Sequence, residues 1–247
     1  MSTEHASSRV AIVTGGSGGI GRQVAERLGA EGYAVVVGYS GSEGKAADAA
    51  DAVKAAGGTA ITVRADVAEE TEVAALFDRA EREFGGIDVV VHTAGLMILG
   101  PLATYDLDVL DRMHRVNIRG TFVVDQQAAR RVRSGGAIIN FSTSVTKLAP
   151  PGYAAYAASK GSVDAITLIL ARELRGKDVT VNAVAPGPTA TPLFLDGKDQ
   201  ATIDAMAARP PLERLGTPDD IAEAVAFLAG PARWINGQII YVNGGIA

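Results

Sequence analysis

The chain has 247 residues, 47% of them hydrophobic and 21% charged, with a formal net charge of −5. Such a length and apolar share suit one large α/β domain with a substantial core and exclude a disordered chain. The sequence contains no cysteine, so disulfides, thiolate zinc sites, iron–sulfur clusters and cysteine nucleophiles drop out together, and an acidic balance without a long basic run argues against nucleic acid and anionic membranes as partners.

The N-terminal MSTEHASSRV has no charged start followed by an apolar run, which predicts no secretory signal. RVAIVT (9–14) then reads as a buried strand, and 19–31 as a helix carrying Val24 and Leu28 at helical spacing. AVVVGY (34–39) is a second strand, followed by an Ala-rich helix over 43–56. AITVRAD (60–66) is a third strand, and 69–84 a helix with Val73, Leu76, Phe77 and Ala80 on one face. IDVVVHTAG (87–95) gives a fourth strand and turn, 105–133 a long helix, and GGAIINFSTS (135–144) a fifth strand. A helix over 153–175, a sixth strand DVTVNAVAPG (178–187), a helix over 217–229 and a final strand in QIIYVNGG (238–245) complete the order.

Strands that alternate strictly with helices imply parallel pairing through right-handed crossovers. Strands apolar on both faces imply helices on both sides. The expected fold is therefore one doubly wound, Rossmann-type α/β domain over 1–247, with a seven-stranded parallel sheet. Residues 186–217 break the rhythm with five prolines and a helix-like segment, and a substrate lid is expected at about 188–215. No apolar stretch reaches the roughly 18 residues that span a bilayer. The three histidines, His5, His92 and His114, are scattered. A cytoplasmic protein without a metal site is the expectation.

TGGSGGIG fills Thr14 to Gly21, directly between the first strand and the first helix. Glycines allow a sharp turn and a close approach of pyrophosphate to the backbone, and the helix N-terminus favours the anion. A glycine cluster alone is often only a tight turn; its strand–loop–helix context is what gives it weight. The cofactor contacts expected here are Gly15, Ser17, Gly18, Gly19, Ile20 and Gly21. After the second strand come Tyr39, Ser40, Gly41 and Ser42, with no acid before Glu43. An acid there would bind a ribose 2′-hydroxyl and repel a 2′-phosphate. Its absence favours NADP, with Tyr39, Ser40 and Ser42 as contacts and Arg22 or Lys45 as charge; a merely polar loop would leave NAD open.

Tyr156 and Lys160 lie four apart in YAASK, on one face of a predicted helix. A tyrosine titrates near pH 10, and a neighbouring ammonium favours the phenolate, which would draw the phenol towards neutrality and fit it for proton transfer. Such a pair on a helix is usually structural; here it stands behind a phosphate loop.

These motifs, from Arg9 to Gly245, resemble the short-chain dehydrogenase/reductase family, whose loop is TGxxxGxG. The resemblance implies that Lys160 also bonds the nicotinamide ribose. It places a serine thirteen residues before the tyrosine, where this chain has Thr143 flanked by Ser142 and Ser144. Either Thr143 or Ser144 would bond the substrate oxygen, with Ser144 favoured. Asn117, in VNIRGTF, matches the asparagine that kinks the long helix and supports a water linked to the lysine. Asp66 and Val67 match the adenine contacts, although Asp66 with Glu69 also reads as a capping box. His92-Thr93-Ala94-Gly95 stands where the family prefers Asn-Asn-Ala-Gly, which puts some strand-to-strand bonds in doubt, while Ala94 and Gly95 still admit the ribose. PGPTAT resembles the clasp on the nicotinamide, with Pro186, Gly187, Thr189 and Thr191 as contacts. The run from Arg214 to Gly245 most resembles 3-oxoacyl-[acyl-carrier-protein] reductases and related ketoreductases, which implies a homotetramer built on the 105–133 helix and the last strand. The expected activity is NADPH-dependent reduction of a ketone. The alternatives are an NAD-dependent alcohol or sugar dehydrogenase and a non-catalytic cofactor-binding sensor. Leu96, Met97, Ile98, Lys147, Leu148, Tyr153, Leu193 and Phe194 suggest a mainly apolar substrate pocket.

Overall fold

The computed structural model describes residues 9–247; the N-terminal segment expected to carry no secretory signal, with His5, lies outside the described residues. Among the described residues, seven strands form one sheet: β1 (Val10–Thr14), β2 (Ala34–Tyr39), β3 (Thr59–Arg64), β4 (Ile87–His92), β5 (Val132–Phe141), β6 (Thr180–Pro186) and β7 (Ile239–Val242). Their order is β3-β2-β1-β4-β5-β6-β7, and every pairing is parallel. The helices are α1 (Gly19–Ala30), α2 (Glu43–Ala55), α3 (Glu70–Phe84), α4 (Leu107–His114), α5 (Gly120–Arg131), α6 (Val145–Leu148), α7 (Ala154–Glu173), α8 (Pro192–Leu195), α9 (Gln200–Ala207) and α10 (Pro218–Ala229).

Alternation along each strand divides the core into two layers. Ala11 and Val13 of β1 pack with α1, α2 and α10, whereas Ile12 packs with α3, α5 and α7. A strand such as VAIVT is buried at every residue because helices cover both faces. The two edges differ from that expectation: β3 exposes Thr59, Thr62 and Arg64, and β7 is only half-buried. The Ala-rich α2 buries Ala46, Ala49, Ala50 and Val53 at helical spacing, as a surface helix should.

The helix expected over 105–133 is interrupted. It starts after Asp106, whose carboxylate accepts the Asp108 N–H at 2.8 Å. It then passes through a π turn at Arg115–Arg119 and ends at Arg131. β5 consequently starts at Val132, upstream of the expected Gly135, with a register shift opposite Ile87 and Val89 of β4.

The chain winds outward from β1 through β2 to β3, then crosses to β4 on the other side of β1. Ligands in such sheets sit at this switch point, above the carboxyl ends of the strands. Beyond β6, the 186–217 segment is pinched at its base by a Thr189–Gly216 bridge and carries α8 and α9, capped by Thr191 and Asp199, neither of which buries a residue. No described helix is long and apolar enough to cross a membrane.

Candidate active site

After Thr14 the chain turns through Gly15 (φ +68°) and enters α1 at Gly19 (φ +53°). A Cβ on Gly21 would lie 2.4 Å from both the Gly15 carbonyl oxygen and Thr93 Oγ1, so the helix reaches the loop this closely only with glycine there. Gly18 is the N-cap of α1; no side chain caps this end, and the first turn holds no acid. Free N–H groups and the positive end of the helix dipole therefore face the crevice. Gly18 is exposed, with open space where a Cβ would stand: no more distant part of the described chain comes within 4 Å. This cradle fits the pyrophosphate of a dinucleotide. Ser17 is half-buried beside it, and Ile20 packs down onto the core.

At the end of β2, Tyr39 is buried while Ser40, Gly41 and Ser42 are exposed. Ser42 caps α2, its hydroxyl accepting the Lys45 N–H at 3.3 Å. Arg22 on α1 and Lys45 on α2 are both exposed, and the first carboxylate after β2 is Glu43 inside α2. Asp66 does not form the expected capping box with Glu69. Its N–H is instead bonded by Glu72 at 2.8 Å, and its carboxylate accepts from the Ala68 N–H and from Arg115. Burial pushes the Asp66 carboxyl upward, but these two donors outweigh it and leave it below its ordinary value. Glu69 pairs with Arg115, and Val67 is buried against Gly120.

Tyr156 and Lys160 share one face of α7. Lys160 is buried, its Nζ donating to the Phe141 carbonyl at 2.7 Å and standing 6.0 Å from the centroid of the Tyr156 ring. Burial lowers the ammonium to about 8, opposed by Asp164. Burial also raises the phenol, to about 12, although the neighbouring Thr143 hydroxyl pulls the other way. The expected drop of the phenol towards neutrality is therefore absent from the chain's own groups, because desolvation outweighs them.

Thr143, not the favoured Ser144, is the hydroxyl beside Tyr156. Ser144 is turned away, donating to the Ala185 carbonyl at 3.3 Å and accepting from Asn243 at 3.1 Å. Asn117 sits in the π turn, fully engaged: Oδ1 accepts the Leu96 N–H at 2.7 Å, and Nδ2 donates to the Leu96 carbonyl and to Ser159 Oγ. Ser159 Oγ in turn donates to the Tyr156 carbonyl at 2.7 Å. Gly95 is held between Asn117 and Lys160: a Cβ there would lie 3.3 Å from Asn117 Oδ1 and 3.5 Å from Lys160 Nζ. Ala94 adjoins it, its backbone nitrogen 2.8 Å from where a Cβ on Gly15 would stand. Strand-to-strand bonding survives the departure from the family's asparagines. His92 Nδ1 meets Thr14 Oγ1 at 2.7 Å, and Thr93 Oγ1 donates to the Thr14 carbonyl at 2.7 Å. Burial, aided by Lys160, keeps His92 neutral with its pKa near 3.

The segment after β6 closes over the glycine loop. Thr191 lies 3.8 Å from where a Cβ on Gly19 would be, and its hydroxyl caps α8. Thr189 is buried, donating to the Gly187 carbonyl at 3.0 Å, while Gly187 donates to Val242 and packs too closely on Asn243 to admit a Cβ. Pro186 ends β6, its carbonyl accepting the Ser144 N–H at 2.9 Å. Among the pocket residues, Tyr153 lies near enough to raise the Tyr156 phenol, and Lys147 Nζ rests 3.9 Å from the Tyr241 ring centroid.

One group escaped the sequence reading. Behind Lys160 lies a polar seam of Asn140 on β5 with Ser142 just beyond its end, Thr167 and half-buried Asp164 on α7, and Asp125 on α5. The signal was present as Asn140 and Ser142 two apart on an apolar strand, and Asp164 and Thr167 at helical spacing after Lys160.

Residues 15–247 match the family model described as enoyl-(acyl carrier protein) reductase. The chain is 44% identical over 248 residues to a short-chain type dehydrogenase/reductase of Picea abies, covering 96% of this chain and 92% of that protein. It is 41% identical to an NADPH-dependent aldehyde reductase-like chloroplastic protein of Arabidopsis thaliana, covering 96% and 93%. The structure of a short chain dehydrogenase from Burkholderia cenocepacia in complex with NADP superposes with a TM-score of 0.90 at 38% identity, covering 96% of this chain and 97% of that one.

Proposed function

We propose that this chain, which belongs to the short-chain dehydrogenase/reductase family, reduces the carbonyl of a ketone to a secondary alcohol with NADPH. The observation that carries the reading is the grouping of Thr143, Tyr156 and buried Lys160 at the switch point, beside an uncapped glycine-rich helix start. The chemistry that NADPH supplies when bound is hydride donation to the carbonyl carbon.

The α1 N-terminus with Gly15 to Gly21 would hold the pyrophosphate. Tyr39, Ser40 and Ser42, with Arg22 and Lys45 as charge, would take the 2′-phosphate, a corner without a carboxylate until Glu43. Asp66 and Val67 would border the adenine, Ala94 and Gly95 the ribose, and Pro186, Gly187, Thr189 and Thr191 the nicotinamide. The NADP in the Burkholderia structure and the name of the Arabidopsis relative support that choice over NAD.

Thr143 bonds the carbonyl oxygen as charge gathers there, and Tyr156 delivers the proton to that oxygen. A phenol that burial keeps protonated suits donation, and so reduction, better than proton removal. Lys160 lends positive charge beside the phenolate left behind. Asn117 holds the 95–96 backbone against α7 through Ser159. The 188–215 segment would act as the substrate lid over an apolar pocket. A cytoplasmic location suits the cysteine-free composition. Exposed Phe122, Leu168 and Ile169 on α5 and α7, and Trp234 beside half-buried β7, support a homotetramer.

Initial rates with NADPH and NADH over a panel of ketones and 3-oxoacyl thioesters test the reading. NADPH should be preferred; a strong NADH preference overturns the cofactor assignment. Tyr156→Phe should lower kcat by roughly 100-fold or more while NADPH still binds, and undiminished turnover would sink the mechanism.

A further inference from the structure

We propose that Asp164 is a positioning residue for Lys160: its carboxylate, one turn further along α7 and backed by Ser142 just past the end of β5, holds the Lys160 ammonium charged inside the sheet–helix interface. The role matters to catalysis only through the reading of Lys160 above.

α7 is largely apolar, yet Lys160, Asp164 and Thr167 follow one another at helical spacing. Asp164 Oδ1 and Ser142 Oγ are both buried without a close hydrogen-bond partner among the described residues. A carboxyl in that setting is costly unless a charge or a donor answers it. Ser142 and Lys160 answer it through space rather than by close contact, each favouring the charged carboxylate against the burial that raises it.

The titratable groups facing Lys160 are Tyr156 and Asp164 from its own helix and His92 from β4. Tyr156 stays a neutral phenol and His92 a neutral imidazole near pH 7. The Phe141 carbonyl bonds Nζ but carries no net charge. Asp164 is thus the one anion set against burial at Lys160, and Lys160 is the one charged group set against Asp164, among the described residues. Without it, the ammonium would lose its proton closer to neutral pH. The phenolate formed on proton donation would then lack a charged neighbour.

The test uses two readouts on the whole protein. The first follows the Lys160 Cε resonance by pH titration in 13C-lysine-labelled protein without cofactor, assigned by its loss in Lys160→Met. Asp164→Asn keeps the shape and should lower the midpoint by about one pH unit, whereas Asp164→Glu should stay near wild type. Ser142→Ala should shift it the same way by less, and serves if Asp164→Asn does not fold. The second readout is the alkaline limb of kcat for carbonyl reduction with NADPH, which should move down in step with the resonance. An unmoved Lys160 midpoint in Asp164→Asn, or in Ser142→Ala if it alone folds, overturns the proposal, whatever happens to kcat. If the midpoint moves but the wild-type protein reduces no carbonyl, the fault lies with the proposed function instead.

Discussion

Which hydroxyl stands beside Tyr156 is decided by how β5 ends. The N–H groups of Ser142 and Ser144 carry the β5–β6 ladder on to the Val184 and Pro186 carbonyls. Ser144 then spends its side chain on the Ala185 carbonyl and Asn243. Thr143 is left to face the phenol. Thr143→Ala should therefore cut kcat by roughly 100-fold with little change in cofactor affinity. Ser144→Ala should leave kcat near wild type and lower stability by about 1 kcal/mol, the worth of its buried hydrogen bonds. Steady-state kinetics beside thermal unfolding separate the two; a Ser144→Ala enzyme as impaired as Thr143→Ala would reverse the assignment. The spacing of Tyr156 and Lys160 was legible because a helix fixes what four residues apart means. The choice of Thr143 was not, because it depends on where a ladder stops.

At the scale of elements, α5, β5 and α7 are joined by more than apolar packing. Asn140 Nδ2 donates to Asp125 Oδ2 at 2.8 Å and to Thr167 Oγ1 at 3.1 Å, leaving Asp125 Oδ1 and Asn140 Oδ1 without partners among the described residues. Burial raises the Asp125 carboxyl to about 7, although Asn140 pulls it down. Because the folded value lies above the unfolded one, the folded state binds the extra proton between about pH 4 and about pH 7. The group's contribution to stability is present at the acid end and lost as pH rises through that window. His92, whose value is lowered to about 3, has the opposite slope, so the informative quantity is the difference between variant and wild type. Asp125→Asn should be more stable than wild type above about pH 7, by on the order of 1–2 kcal/mol, an advantage that shrinks on acidification. A pH-independent difference in denaturant midpoints would rule this out. Most element positions were legible, since apolar runs and glycine corners mark strands between helices. The π turn was legible only as a kink at Asn117, because it is set by the bonds from Asn117 to Leu96 and Ser159, distant in sequence.

For the whole molecule, the two-layer burial that identifies the interior strands leaves surplus apolar surface in two places. Phe122 on α5 is 59% exposed, and Leu168 and Ile169 of α7, a helix of the same layer, are exposed as well. On the far edge, β7 has no strand beyond it among the described residues and lies only half-buried, with Trp234 fully exposed nearby in the chain. An open edge strand and an apolar helix pair are liabilities in a lone chain. Two distinct self-complementary faces, each closed by a two-fold axis, generate a closed four-subunit assembly rather than a filament when the axes meet at right angles. Light scattering should therefore report a single species of four 25.4 kDa chains. Phe122→Asp should yield a dimer held by the β7 face, because a charge buried opposite its own symmetry copy is strongly disfavoured. Its circular dichroism should stay at wild type, since Phe122 contributes little to either core layer. A wild-type chain that sediments as a monomer would leave those apolar faces unexplained and remove the tetramer from the proposed function, without touching the geometry around Tyr156.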